Sequence, residues 1–155
     1  MFGVSDGLVS NVSLMLGFAG SGVDSSVVRL AGLAGAVAGA ISMAAGEWIS
    51  VTSQNDLIER ELAVERRELE RNPDKETVEL AAVYRDQGMD EATATAAAEA
   101  VMRNPENALL VHARTELGVD PDDLPSAFAA AAWSLISFLF GAFLPLVPWY
   151  LAGGG

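Results

Sequence analysis

Glu65-x-x-Glu68 and Glu76-x-x-Glu79 are two carboxylate pairs of the same spacing, one on each side of Asn72-Pro73. Residues three apart share a helix face, so each pair can present two carboxylates to one cation. Two such helices side by side would supply the oxygen-rich, several-ligand site that hard or borderline divalent ions favour. Further along, His112 and Glu116 are four apart and add an imidazole and a fifth carboxylate. The competing reading is a solvated face on which these acids pair with Arg66, Arg67 and Arg71. Glu-rich helices produce the E-x-x-E spacing by chance, so spacing alone leaves both readings open.

A second set of polar residues stands in apolar surroundings. Asp6 opens one uncharged stretch, and Glu47 ends another. An ionisable group at membrane depth is costly and by default marks a functional site. Met43, four residues before Glu47, shares its face and offers a thioether beside a carboxylate. Asn11 and Ser42 are candidates to line the same polar path, although polar residues between membrane helices also serve packing. The bland alternative is that Asp6 and Glu47 only mark interfaces.

The elements that must carry these groups follow from the charge pattern. Of 21 acids only Asp6, Asp24 and Glu47 lie outside residues 56–123, and of nine bases only Arg29 does. Residues 7–23, 30–46 and 125–155 carry no charge at all. Each is close to the ~20 residues that a helix needs to cross hydrocarbon. We therefore expect an all-α chain of transmembrane helices with an inserted acidic helical domain: helix one over 1–23, helix two over 27–53, the insert over 54–123 and helix three over 124–152. Gly35-x-x-x-Gly39 in the second segment has the form used for close helix contact. Pro145 and Pro148 interrupt the third, and Trp149-Tyr150 reads as an interfacial anchor. Arg60, Arg66, Arg67 and Arg71 follow segment two, against Arg29 alone in the preceding loop, so the positive-inside rule puts the insert in the cytoplasm.

Within the insert the punctuation is clear. Helix two is expected to continue beyond Gln54. Asn72-Pro73 restarts a helix over 73–86, closed by Gly88, with Asn72 as its N-cap. Asp90 caps an alanine-rich helix to about Arg103. Asn104-Pro105 starts the last, which runs to Leu117 and ends at Gly118.

Composition excludes several classes. The 155 residues contain no cysteine, hence no disulfide framework, thiolate zinc site or iron–sulfur cluster. A net charge of −12 disfavours nucleic acid and favours cations. Only 19% of residues are charged, 51% are hydrophobic, and the mean hydropathy is +0.31, which a membrane chain explains better than a soluble one. Met1-Phe2-Gly3 lacks the basic region of a signal peptide, so none is expected. A di-iron oxidase fits poorly, because the chain has no Glu-x-x-His.

Ser5-Asp6-Gly7-Leu8-Val9-Ser10 and the run from Ser42 to Val51 resemble the vacuolar iron transporter family. So do the 65/68 and 76/79 pairs, Glu116-Leu117-Gly118 and the run from Phe143 to Trp149. The resemblance implies a homodimer with five membrane helices per subunit, moving Fe²⁺ or Mn²⁺ out of the cytosol against protons. It further implies Glu65, Glu68, Glu76, Glu79 and Glu116 as metal ligands and Asp6, Met43 and Glu47 as lining the translocation path. Two departures stand out. The family's methionine pair is His112-Ala113 here, which makes His112 a candidate ligand, and the chain stops after the third helix, so helices four and five are expected to be missing.

The expectation is a transporter and not an enzyme: an integral protein of the cell (inner) membrane, exporting divalent iron and/or manganese by proton antiport for metal homeostasis. Its partners are divalent metal ions, protons, the lipid bilayer and a second copy of itself, with no nucleic acid. The alternative is a metal-binding or interaction membrane protein without transport activity.

Overall fold

The computed structural model describes residues 2–152; Met1 and Gly153-Gly154-Gly155, which bounded the sequence reading, lie outside the described residues. Among the described residues the fold is all-α, with no strand: α1 (Phe2–Gly20), α2 (Ser25–Arg71), α3 (Pro73–Asp86), α4 (Glu91–Met102), α5 (Pro105–His112), a π turn (Ala113–Leu117), α6 (Ala127–Phe143) and α7 (Leu146–Ala152). Two compact units result: Met1–Thr52 with Ser126–Gly155, and Ser53–Pro125.

In the first unit α1 and α6 run parallel in intimate contact. Glycine makes this possible. A Cβ on Gly7 would strike the Phe138 carbonyl, and one on Gly141 would strike the carbonyl of Val4. The α2 stripe of small residues is filled from within the same chain. Gly32 faces Met15 and Leu146, Gly35 faces Leu14 and Asn11, and Gly39 lies under the Phe138 ring. Two cores follow: Ala36, Ala40, Phe138 and Ala142, and Met15, Val28 and Leu146. Trp149 packs against the second core, whereas the Tyr150 ring lies 5.5 Å below the Arg29 guanidinium.

One of the three expected membrane segments, in α2, is long and apolar enough to span by itself, and only 22% of its apolar window is buried. The apolar α6 has 17 residues, about 26 Å of helix, because Pro145 cuts it short. α1 has 19 residues, diluted by Ser5, Asp6, Ser10, Asn11 and Ser13. The exterior of this unit is nevertheless apolar. Leu16, Leu30, Ile41, Phe128, Trp133 and Phe140 all face outward. Large exposed side chains in such number are the inverse of a water-soluble surface.

The second unit holds the last turns of α2, then α3, α4, α5 and the π turn. Its core is Leu80, Ala81 and Ala98, with Tyr84, Val101 and Val111 around it. Capping sets the boundaries. Asp90 Oδ1 accepts the Ala92 and Thr93 amides, and Asn104 Oδ1 accepts those of Glu106 and Asn107. Asn72 departs from expectation. Its side chain caps nothing, and its backbone carbonyl takes the Lys75 and Glu76 amides instead. Gly88 (φ 101°) and Gly118 (φ 66°) turn left-handed where α3 and the π turn stop.

Candidate metal centre

Each E-x-x-E pair is split between interior and solvent. On α3 the buried face carries Glu76, Leu80 and Ala81, so Glu76 is drawn inward with its apolar neighbours and is 1% exposed. Glu79 lies off that face, is half-exposed, and pairs with Lys75 at 3.0 Å. On α2 Glu65 is buried while Glu68 is exposed. An i, i+3 spacing leaves the two side chains about 60° apart around the axis, enough for the burial boundary to pass between them.

His112, fully buried at the end of α5, is the hub. Its Nδ1 stands 3.1 Å from Glu116 Oε1, in hydrogen-bond geometry, and 3.1 Å from Glu65 Oε1, without it. Glu76 Oε2 is 4.0 Å from the same nitrogen. Ligand atoms of Glu65, His112 and Glu116 all lie within 4.8 Å of one another. The π turn begins directly after His112 and contains Glu116, a widened turn of the kind found at functional sites.

Three buried atoms here have no hydrogen-bond partner: Glu65 Oε1, Glu76 Oε1 and His112 Nε2. Buried polar atoms are nearly always satisfied, so orphans at one place need a reason. Burial pushes the Glu65 carboxyl above its ordinary pKa; the Glu116 charge adds to this and His112 offsets part. Burial likewise raises Glu76, reinforced by Glu79 and opposed by Lys75 and His112. Carboxylates so gathered repel one another and lose water, and a divalent cation relieves both costs. Nitrogen plus carboxylate oxygens is a donor set that suits Fe²⁺ or Mn²⁺.

A second site lies in the first unit. A cavity of about 330 Å³ is lined by Asp6, Ser10, Asn11, Leu14, Gly35, Gly39, Ser42, Met43 and Phe138. It brings together Asp6 and Met43 with Asn11 and Ser42. Glu47, one turn beyond Met43, is exposed and does not line the cavity. Sequence reasoning missed the π turn, for which no local signal is visible, and the α1–α6 contact, which Gly3-x-x-x-Gly7 could have flagged.

Comparison with known proteins identifies the family. The chain is 34% identical to "Vacuolar iron transporter 1" of Arabidopsis thaliana over 151 residues, 97% of this chain and 60% of that protein. It is 34% identical to "Vacuolar iron transporter 1" of Oryza sativa subsp. japonica over 149 residues, covering 96% and 59%. With "Vacuolar iron transporter" of Acanthamoeba castellanii it shares 41% identity over 133 residues, covering 81% and 50%. The chain thus spans about 50–60% of the length of these curated relatives. A family model described as the VIT family matches residues 1–154, and the chain belongs to that family.

Proposed function

We propose that this chain is the part of a membrane transporter that collects divalent iron or manganese on the cytosolic side and admits it to the membrane. The observation that carries the reading is the Glu65–His112–Glu116 cluster, in which Glu65 and His112 are buried with unpartnered atoms, Glu116 reaches in from the exposed side, and the buried Glu76 lies beside them. Glu68 and Glu79, the exposed members of their pairs, draw the ion in electrostatically. Family membership supports transport in preference to enzymatic chemistry. The relatives' printed names supply iron and the vacuole; manganese rests on the donor set and on the family resemblance. Those names favour a vacuolar membrane over the cell (inner) membrane.

Release follows from proton competition. Protons compete with metal for carboxylate ligands, and where that competition takes place within the membrane path a proton gradient opposed to metal movement drives export by antiport. Asp6 and Met43 line the path through the first unit, and Glu47 stands one turn beyond Met43 on the side of the insert. A second copy of the chain completes a homodimer, with residues 54–123 in the cytoplasm. Fe²⁺ and Mn²⁺ uptake into proteoliposomes tests the reading. Uptake that grows with an opposing proton gradient is expected; metal binding without flux would leave a metal-binding membrane protein in its place.

A further inference from the structure

The last turn of α6 has carbonyls with no partner in their own helix, as every helix C-terminus does. One of them, Ala142 O, is met from α1: Asn11 Nδ2 donates to it at 2.6 Å. Only the amide nitrogen can serve a carbonyl, so this bond fixes which way the amide faces. Oδ1 is therefore turned away from α6. It has no hydrogen-bond partner, although Asn11 is only 2% exposed, and Asn11 lines the cavity that holds Asp6 and Met43. Across from it is Gly35, where an added Cβ would stand 3.0 Å from Oδ1.

We propose that Asn11 Oδ1 is a ligand for a divalent cation in this cavity, held in position by the Ala142 carbonyl. The assignment rests on the reading of the cavity as a cation path and adds a neutral oxygen ligand to it. A buried, unpaired acceptor excludes an anion as its partner. The other donors on the wall are the Asp6 carboxylate, two serine hydroxyls and the Met43 thioether, and no basic residue lines it. An amide carbonyl contributes an oxygen without a second fixed charge. The ion is thus held by one carboxylate and neutral dipoles, which is weak enough to let it leave. Met43 adds a soft donor, which favours a transition metal over Mg²⁺ or Ca²⁺.

The test uses the whole chain in detergent, with Mn²⁺ as the probe and its free-ion paramagnetic resonance signal as the readout. Glu65→Gln, Glu76→Gln, His112→Gln and Glu116→Gln together form the background, so that binding reports the first unit. Asp6→Asn and Asn11→Leu should each weaken Mn²⁺ by about tenfold or more. Gly35→Ala would set a Cβ 2.5 Å from Leu14 Cδ2 and 3.0 Å from Oδ1 without removing the bond to Ala142; alone and with Leu14→Ala, which relieves the first clash, it should weaken Mn²⁺ similarly, and the pair decides the matter should Asn11→Leu not fold. If Asp6→Asn weakens binding while Asn11→Leu or a folded Gly35→Ala does not, the Asn11 ligand is wrong and the cavity reading stands. If the background binds no Mn²⁺, or Asp6→Asn changes nothing, the cavity reading fails and the Asn11 ligand with it.

Discussion

Nδ1 of His112 stands 3.1 Å from Oε1 of Glu65, although the two residues lie on different helices with α3 and α4 between them in the chain. An imidazole nitrogen and a carboxylate oxygen, both shielded from water and neither satisfied by the other, form an arrangement that a cation completes. Glu116 closes the group from the adjoining π turn.

The first consequence is an unequal response within each carboxylate pair. Glu65→Gln should lower Fe²⁺ or Mn²⁺ affinity by about 10–100-fold, at least what the loss of an outer-shell partner costs a metal site. Glu79→Gln, on an exposed side chain paired with Lys75, should change affinity by no more than a few-fold, on the order of a surface ion pair's worth. Calorimetric titration of both variants checks this; equal losses would contradict the split.

Stability without metal should fall as pH rises. Glu65 and Glu76 have folded-state pKa values raised above 4.5, so the folded chain holds protons that the unfolded chain has released. Their contribution is complete below about pH 4.5 and is lost as pH climbs through the raised values. Asp90 and Asp120 are shifted the other way, below 3.8, by hydrogen bonds to Thr93 and Arg114, so their contribution is constant above pH 5. Thermal midpoints of the metal-free chain should therefore be higher near pH 5 than near pH 7.5, and Mn²⁺ should raise the midpoint more at the higher pH.

The contact between α1 and α6 should tolerate no side chain at its closest points. Gly7→Val or Gly141→Val would force the helices apart and should cost about 1–3 kcal/mol or more. Gly17→Ala, on the same helix α1 but with nothing within 4 Å of the new Cβ, should be neutral or stabilising by up to about 1 kcal/mol. Unfolding in detergent, read by thermal midpoint, separates the two classes.

Flux should depend on Asp6 and Met43 more than on Glu47. Asp6→Asn removes the one carboxylate of the cavity wall, and Met43→Leu removes its thioether while keeping volume. Each should reduce metal flux about tenfold or more in a chain that transports. Glu47→Gln alters an exposed residue outside the wall and should have a smaller effect. Equal loss in all three variants would return Glu47 to the path itself.

The helices of this protein are written into the sequence because their boundaries are local. Asp90 and Asn104 cap the amides that follow them, Pro73 and Pro105 occupy first turns, and Gly88 and Gly118 take up left-handed backbone. Each needs only neighbours within a turn, so the expected span 73–86 is the observed α3. The same holds for the charge pattern, which separates an acidic 56–123 from two uncharged flanks before any contact is known. Asn72 shows the limit, since its side chain makes no cap although its residue type suits one.

What the tertiary structure decided is which members of each repeated pattern matter. Spacing treats Glu65 and Glu68 alike, as it does Glu76 and Glu79. Only the packing of Leu80 and Ala81 into the core pulls Glu76 inward and leaves Glu79 with Lys75. The Gly35-x-x-x-Gly39 stripe says that something approaches closely but not what; in the fold it is Leu14, Asn11 and Phe138 of the same chain. Asn11 and Ala142, 131 residues apart, meet because glycines at 7 and 141 let two backbones touch. Caps and turns are short-range and legible, whereas burial and the partner of a buried atom depend on residues far away in the chain, which no local pattern encodes.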